Sequence, residues 1–209
     1  MSNRSIHTLL KNWDEECPLT REEAVEVLNL PEEEMDSLME CAYALRTKYK
    51  GKKVSVQLLT NVRSGNCTQN CAYCAQSKDS QAEIEKYKRV SDEKLYGDND
   101  LVDEKHLARH CIGLSGIGFS DEEIEDLADR IREMKKKDTQ ICCSIGFLTE
   151  KQARILKDAG LDRINHNLNS SRSFYPEICT THTYDQRVNN IKMLQSLGFE
   201  ICSGGIVGM

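Results

Sequence analysis

From residue 54 onward, short apolar runs alternate with amphipathic segments, while the first 50 residues carry only the longer helical period. In the N-terminal stretch, Thr20 with Glu23 three positions on has the form of a capping box, with an apolar face behind it. Pro31 then opens a second helix at its first turn, and Met35, Leu38, Met39, Ala42 and Leu45 recur at helical spacing. Beyond residue 54 the runs 54–62, 110–114, 141–146, 163–168 and 199–202 read as strands. Ser120 with Glu123 starts a helix to about residue 136, and Thr149 with Gln152 starts another that ends near Gly160. Residues 184–197 form a helix stopped by Gly198. The segment 85–106 should hold the first crossover helix. It contains Tyr96-Gly97-Asp98-Asn99-Asp100, a turn signal that predicts a short or broken helix there.

Repeated strand–helix units mean parallel strands joined by right-handed crossovers. The expected fold is therefore α/β: a partial (β/α) barrel of the TIM type with about five units over 51–209, preceded by a helical extension over 1–50. A closed barrel has eight strands over roughly 250 residues. The chain thus reads as the first five β/α units of a longer enzyme, with one open sheet edge that favours self-association.

Composition narrows the class. The 209 residues are 39% hydrophobic and 30% charged with a net charge of −6, a globular profile without a basic face for nucleic acid. There is no apolar run long enough to span a membrane, and 1–7 lacks a signal segment, so a cytoplasmic setting is expected. Ten cysteines in a reducing compartment point to metal binding rather than disulfides.

Three of them stand together in Cys67-Thr68-Gln69-Asn70-Cys71-Ala72-Tyr73-Cys74-Ala75-Gln76-Ser77. The Cys-x3-Cys-x2-Cys spacing lets one tight loop turn three thiolates to a common point. Three protein ligands on a four-iron cluster leave one iron open to a small molecule. The competing reading is a structural zinc knot, which wants four ligands in paired spacings, and no nearby Cys or His completes a pair. Cys111, Cys142 and Cys202 fall on three separate predicted strand ends, which a barrel would bring toward one axis. Free cysteines are otherwise small buried apolar residues, and Cys17 and Cys41 on the N-terminal helices read as core or surface residues with no chemical role. Cys143 should face away from Cys142, and Cys179 stands apart from every set. Asn165, Asn167 and Asn169 alternate, so along a strand they would share one face, which is costly inside a barrel unless it binds something polar.

The cysteine loop resembles that of the radical S-adenosylmethionine (SAM) enzymes. With the runs 159–171, Thr180-Thr181-His182-Thr183-Tyr184-Asp185-Gln186-Arg187 and Ile201-Cys202-Ser203-Gly204-Gly205-Ile206-Val207-Gly208, the chain from about residue 19 onward is more narrowly similar to the biotin synthases. The resemblance implies a 4Fe–4S cluster on Cys67, Cys71 and Cys74, with SAM closing its open iron, and avoidance of oxygen. It implies a second, 2Fe–2S cluster on Cys111, Cys142 and Cys202, whose fourth ligand in that family, an arginine, would fall beyond Met209. It places Tyr73 at the adenine, Ser115 and Gly116 at the methionyl amino group, and Asn167 and Asn169 at the ribose, where the family more often has an acid at the last position. Asn165 would meet the ureido ring of dethiobiotin and Arg187 the methionyl carboxylate, as suits a planar bidentate donor. For Tyr73 simple packing, and for Arg187 a solvent-facing helical position, remain the other readings.

The implied reaction is sulfur insertion into dethiobiotin, giving biotin through a 5′-deoxyadenosyl radical, with no side chain assigned an acid–base or nucleophilic role. A low-potential donor such as flavodoxin or ferredoxin would supply electrons, and the full-length enzyme would be a homodimer. Two alternatives stay open: a biotin-synthase-like enzyme of the hydrogenase-maturation or methylornithine type, and a non-catalytic iron–sulfur-binding remnant.

Overall fold

The computed structural model describes residues 19–209. The readings made for residues 1–7 and for Cys17 lie outside the described residues. The chain divides into two compact units that meet at Val54 and Ser55, and each is taken by itself.

In the first unit, α1 (Arg21–Leu28) carries the expected capping box, with Thr20 and Glu23 bonded both ways. Pro31 precedes a 3-10 turn, Glu32–Glu34, rather than sitting inside the next helix. Helix α2 (Met35–Lys50) follows and ends on Gly51 at φ 65°, a left-handed value that glycine accepts without strain. No residue of either helix is buried, and Met39 on the predicted apolar face is 64% exposed.

The second unit is built on five parallel strands in the order β1-β2-β3-β4-β5: Gln57–Arg63, Arg109–Leu114, Ile141–Ser144, Arg163–Asn165 and Glu200–Cys202. Each crossover carries a helix: α3 (Asp92–Glu104), α4 (Asp121–Met134), α5 (Glu150–Asp158), and the short α6 (Tyr175–Ile178) with α7 (Tyr184–Ser196). Sequential parallel order with same-handed crossovers keeps every helix on one side of the sheet, which is the winding of a (β/α) barrel. The main core lies on that side, where Val62, Ile112, Ile141, Cys143 and Ile164 meet Leu95, Ile124, Ile131, Leu156 and Leu194. Cys143 is fully buried there, facing away from Cys142 as strand alternation requires.

On the opposite face the register sets two levels. Leu59, Cys111, Cys142, Arg163 and Glu200 are successive cross-strand partners, and Asn61, Gly113, Ser144, Asn165 and Cys202 form the level above. Leu59 is 64% exposed on this face.

The expectation of a broken first crossover helix is corrected: α3 runs unbroken for 13 residues from its N-cap, Ser91. The polar residues that signalled a turn are held inside the fold. Thr60 Oγ1 donates to Asp98 Oδ2 at 2.6 Å and lies 2.8 Å from His110 Nε2, while Asn99 Nδ2 donates to the Met134 carbonyl at 3.2 Å. Lys94 closes an i,i+4 ion pair on Asp98 at 2.5 Å. A side chain that finds a tertiary partner no longer competes with the helix backbone, so its turn preference loses its force. Two strands also stop earlier than expected, β3 at Ser144 and β4 at Asn165.

Candidate functional site

The site is a cavity of about 300 Å³ at the C-terminal end of the strands, and the cysteine loop forms one wall. The loop leaves β1 through Gly65 (φ 73°) and Asn66 (φ 53°), and tight turns follow, with Cys74 N–H donating to Cys71 O at 3.1 Å and Ser77 N–H to Cys74 O at 3.0 Å. Ser115 ties the loop root to β2, its hydroxyl donating to the Gly65 carbonyl at 2.6 Å. The loop is also stapled to the last residue of α6 and the segment after it. Ala72 N–H donates to Ile178 O at 2.9 Å, and Asn70 Oδ1 accepts from the N–H groups of Thr180 and Thr181 at 3.1 and 3.3 Å.

Cys67, Cys71, Tyr73, Cys74, Ser115, Gly116, Asn165, Asn167, Asn169 and Arg187 all line this one cavity. The reason given for the asparagines needs correcting. Only Asn165 is on β4; Asn167 and Asn169 belong to the loop beyond it, where Asn169 has φ 66° and bridges to Gly205. They converge because that loop folds over the strand ends, not because of strand alternation. Ser115 reaches the cavity with its N–H already donated to Arg63 O at 3.1 Å. Tyr73 stands at the rim, 37% exposed, and burial of its hydroxyl side beside Cys71 raises its pKa.

Arg187 enters from α7. Its Nε donates to Tyr175 Oη at 2.7 Å and its Nη2 to His182 Nε2 at 3.0 Å, with the guanidinium carbon 5.8 Å from the Phe147 ring centroid. Among the described residues no carboxylate pairs with it. A fixed guanidinium with no anion of its own, facing a cavity, is suited to an anionic ligand. Arg187 can only donate, so His182 Nε2 is the acceptor and the ring hydrogen sits on Nδ1. Burial, with Arg187 second, pushes the His182 pKa down to about 4 and keeps the ring neutral.

Cys111, Cys142 and Cys202 lie outside this cavity. They were expected at three strand ends; Cys202 is at one, but Cys111 is third in β2 and Cys142 second in β3, paired in register. Register, rather than strand ends, sets Cys111 beside Cys142 on the face opposite the helices, with Cys202 one level above. The Cys111 thiol donates to Gln57 Oε1 at 3.0 Å and the Cys142 thiol to Asn165 Oδ1 at 3.2 Å. Burial, then Cys111, pushes Cys142 up to about 12, and burial raises Cys111.

One grouping escaped the sequence reading. Cys71, Cys179 and His182 bring their ligand atoms within 4.8 Å of one another, all buried. Cys71 Sγ is 3.7 Å from Cys179 Sγ, which is 3.2 Å from His182 Nδ1. Burial first, and Cys179 next, push Cys71 up to about 12. Burial would raise Cys179 too, but hydrogen bonds from the Thr181 hydroxyl and the backbone around His182 outweigh it and hold it low. The Cys-x2-His spacing of 179–182 was the available signal.

Comparison with known proteins places these features in a family. The Radical SAM superfamily model matches residues 61–209. A biotin synthase of Geobacillus kaustophilus is 40% identical over 192 residues, covering 91% of this chain and 58% of that protein. One from Bacillus subtilis is 41% identical over 192 residues, 91% of this chain and 57% of that protein. The chain thus spans somewhat under three-fifths of the length of these curated relatives. Among solved structures, methylornithine synthase (PylB) superposes with a TM-score of 0.81 at 16% identity, covering 96% of this chain and 58% of that one. HydG, a maturase of the [FeFe]-hydrogenase, gives 0.75 at 19% identity over 91% of this chain and 43% of that one. At these identities the structural likeness speaks to the fold.

Proposed function

This chain belongs to the radical SAM superfamily, and on that premise we propose that it carries the cofactor half of a biotin-synthase-like sulfur-insertion site, acting on dethiobiotin. The observation that carries the reading is the convergence of Cys67, Cys71 and Cys74 with Asn167, Asn169 and Arg187 on one cavity.

The residues fit a 4Fe–4S cluster with SAM. Three soft thiol donors come from one short loop whose backbone is fixed by its own turns and by Asn70, and open space lies directly beside them. Bound there, the cluster and SAM would supply one-electron chemistry, giving a 5′-deoxyadenosyl radical that would take hydrogen from the substrate. The chain's own residues position and exclude. Arg187 would take the methionyl carboxylate, held in plane by Tyr175 and His182. Asn167 and Asn169 would meet the ribose, Tyr73 would cover the adenine, and Ser115 and Gly116 would present backbone to the amino group. Asn165, one level above Cys142 and accepting its thiol hydrogen, would meet the ureido ring. The thiols must lose their protons on ligation, so loading the raised Cys71 releases a proton to solvent.

Cys111, Cys142 and Cys202, on the face opposite the helices, would hold the auxiliary 2Fe–2S cluster, and their joint presence favours sulfur insertion over the other radical chemistries of this fold. Electrons would come from a low-potential flavodoxin or ferredoxin.

Anaerobic reconstitution of the chain with iron and sulfide should give about four irons on the loop, with charge-transfer absorption in the visible. The Cys67, Cys71, Cys74 triple alanine variant should lose that iron and absorption. If it keeps the same iron, sulfide and spectrum, the loop is not the ligand set.

A further inference from the structure

Cys179 has no part in the function proposed above, yet its sulfur lies 3.7 Å from that of Cys71. Both side chains are buried, 8% and 4% exposed, in one small cluster with Tyr175 and Ile178. They are 108 residues apart in sequence. Their proximity is set by the contacts of Ala72 with Ile178 and of Asn70 with Thr180 and Thr181, none of which needs a metal. The gap is roughly 1.7 Å wider than a disulfide bond, within reach of side-chain rotation and a small loop shift.

A mononuclear metal on Cys71, Cys179 and His182 is the competing use of this grouping. The hydrogen-bond pattern works against it. Arg187 donates to His182 Nε2, so the hydrogen sits on Nδ1, the nitrogen that faces Cys179 Sγ at 3.2 Å and Gln69 Oε1 at 3.1 Å. A ring nitrogen that carries hydrogen cannot ligate a metal. The His182 Nδ1 hydrogen is therefore shared between Gln69 Oε1 and the Cys179 sulfur, and what remains is a dithiol.

We propose that Cys71 and Cys179 form a reversible thiol–disulfide pair that closes when the loop carries no cluster. The oxidant is a low-molecular-weight disulfide of the glutathione class. One protein sulfur displaces a thiol from it to give a mixed disulfide, and the other protein sulfur then displaces the second thiol. The oxidant's S–S bond breaks, the Cys71–Cys179 bond forms, and two electrons and both thiol protons leave on the two released thiols. A further consequence rests on the functional reading above: the disulfide removes one of the three loop ligands. Oxidised chain then takes up no cluster until it is reduced, and the buried pair is spared the irreversible steps of cysteine oxidation.

The test uses the whole 209-residue chain, prepared cluster-free and reduced, then exposed to oxidised glutathione and peptide-mapped by mass spectrometry without reduction. A Cys71–Cys179 cross-linked peptide should be the dominant intramolecular species and should vanish on adding reductant. Cys71 found cross-linked to Cys67 or Cys74 instead, or found only as a stable glutathione adduct, overturns the proposal. Stoichiometric binding of one Zn²⁺ by the reduced chain, lost in both Cys179→Ser and His182→Gln, also overturns it in favour of the metal site. In a second arm, oxidised wild-type chain should lose iron uptake, while Cys179→Ser and Cys179→Ala keep it after the same treatment. Peptide mapping of the wild type needs no variant to fold. Its outcome is independent of whether the loop proves to hold a cluster, so the two readings fail separately.

Discussion

The Nη2 of Arg187 donates to Nε2 of His182 at 3.0 Å, and the same imidazole turns its Nδ1 to Gln69 Oε1 at 3.1 Å. One ring thus connects the guanidinium that faces the cavity to the cysteine loop. Arg187→Lys keeps the charge but loses the planar fork that engages a carboxylate while still bonded to Tyr175 and His182. SAM affinity of the reconstituted chain, read by calorimetry, should fall about tenfold, or about 1.4 kcal/mol. Unchanged affinity would place the methionyl carboxylate elsewhere.

Asn167 lines the cavity from the loop beyond β4 and is not needed for the core. Asn167→Ala should weaken SAM binding by roughly 1–3 kcal/mol, the cost of leaving a desolvated ribose hydroxyl without its partner. The melting temperature of the cluster-free chain should not move. A large stability loss with intact affinity would turn the residue into a structural one.

At Gly146 an added Cβ would lie 2.4 Å from the Ile117 carbonyl oxygen and 2.7 Å from that of Gly116. Backbone atoms cannot rotate away, so Gly146→Ala must push apart the loops after β2 and β3. The expected cost is roughly 1–3 kcal/mol in urea denaturation, as for other overpacked sites. Because Gly116 and Ile117 line the cavity, SAM affinity should drop as well.

His166 is 1% exposed and neither ring nitrogen has a hydrogen-bond partner among the described residues. Burial first, and Arg187 next, push its pKa down to about 4, while the nearby Ile145 backbone opposes this without reaching hydrogen-bonding geometry. Between the ordinary histidine value and that depressed one, the unfolded chain binds a proton that the folded chain refuses. The contribution to stability is therefore full above pH 6.5 and is lost as the pH falls toward 4. His166→Leu should be neutral or stabilising at pH 7.5 and should recover about 2 kcal/mol of the stability lost between pH 6.5 and 4.5. Parallel urea midpoints for the two proteins across that range would refute this.

Much of the fold was legible in the chain because its signals are local. The capping boxes at Thr20, Ser120 and Thr149 each close within one turn, and all three helices begin where those residues predict. The loop cysteines were legible for the same reason: their relation is a spacing within eight positions, Cys67 to Cys74. Family resemblance brought Arg187 and Asn167 to the same cavity, which local pattern alone could not do. The tertiary structure decided what depends on distant partners. Gly97-Asp98-Asn99 reads as a turn until Thr60 and Met134, on other elements, satisfy its polar groups and leave the helix unbroken. Cys111 and Cys142 become neighbours only through strand register, which no single strand encodes. Cys179 looks surplus in the sequence, and only the stapling of Asn70 and Ala72 to the end of α6 and the segment after it sets its sulfur 3.7 Å from Cys71. Spacing along the chain fixes which groups share a turn, while burial and cross-strand pairing, set by the packed fold, fix which groups meet across it.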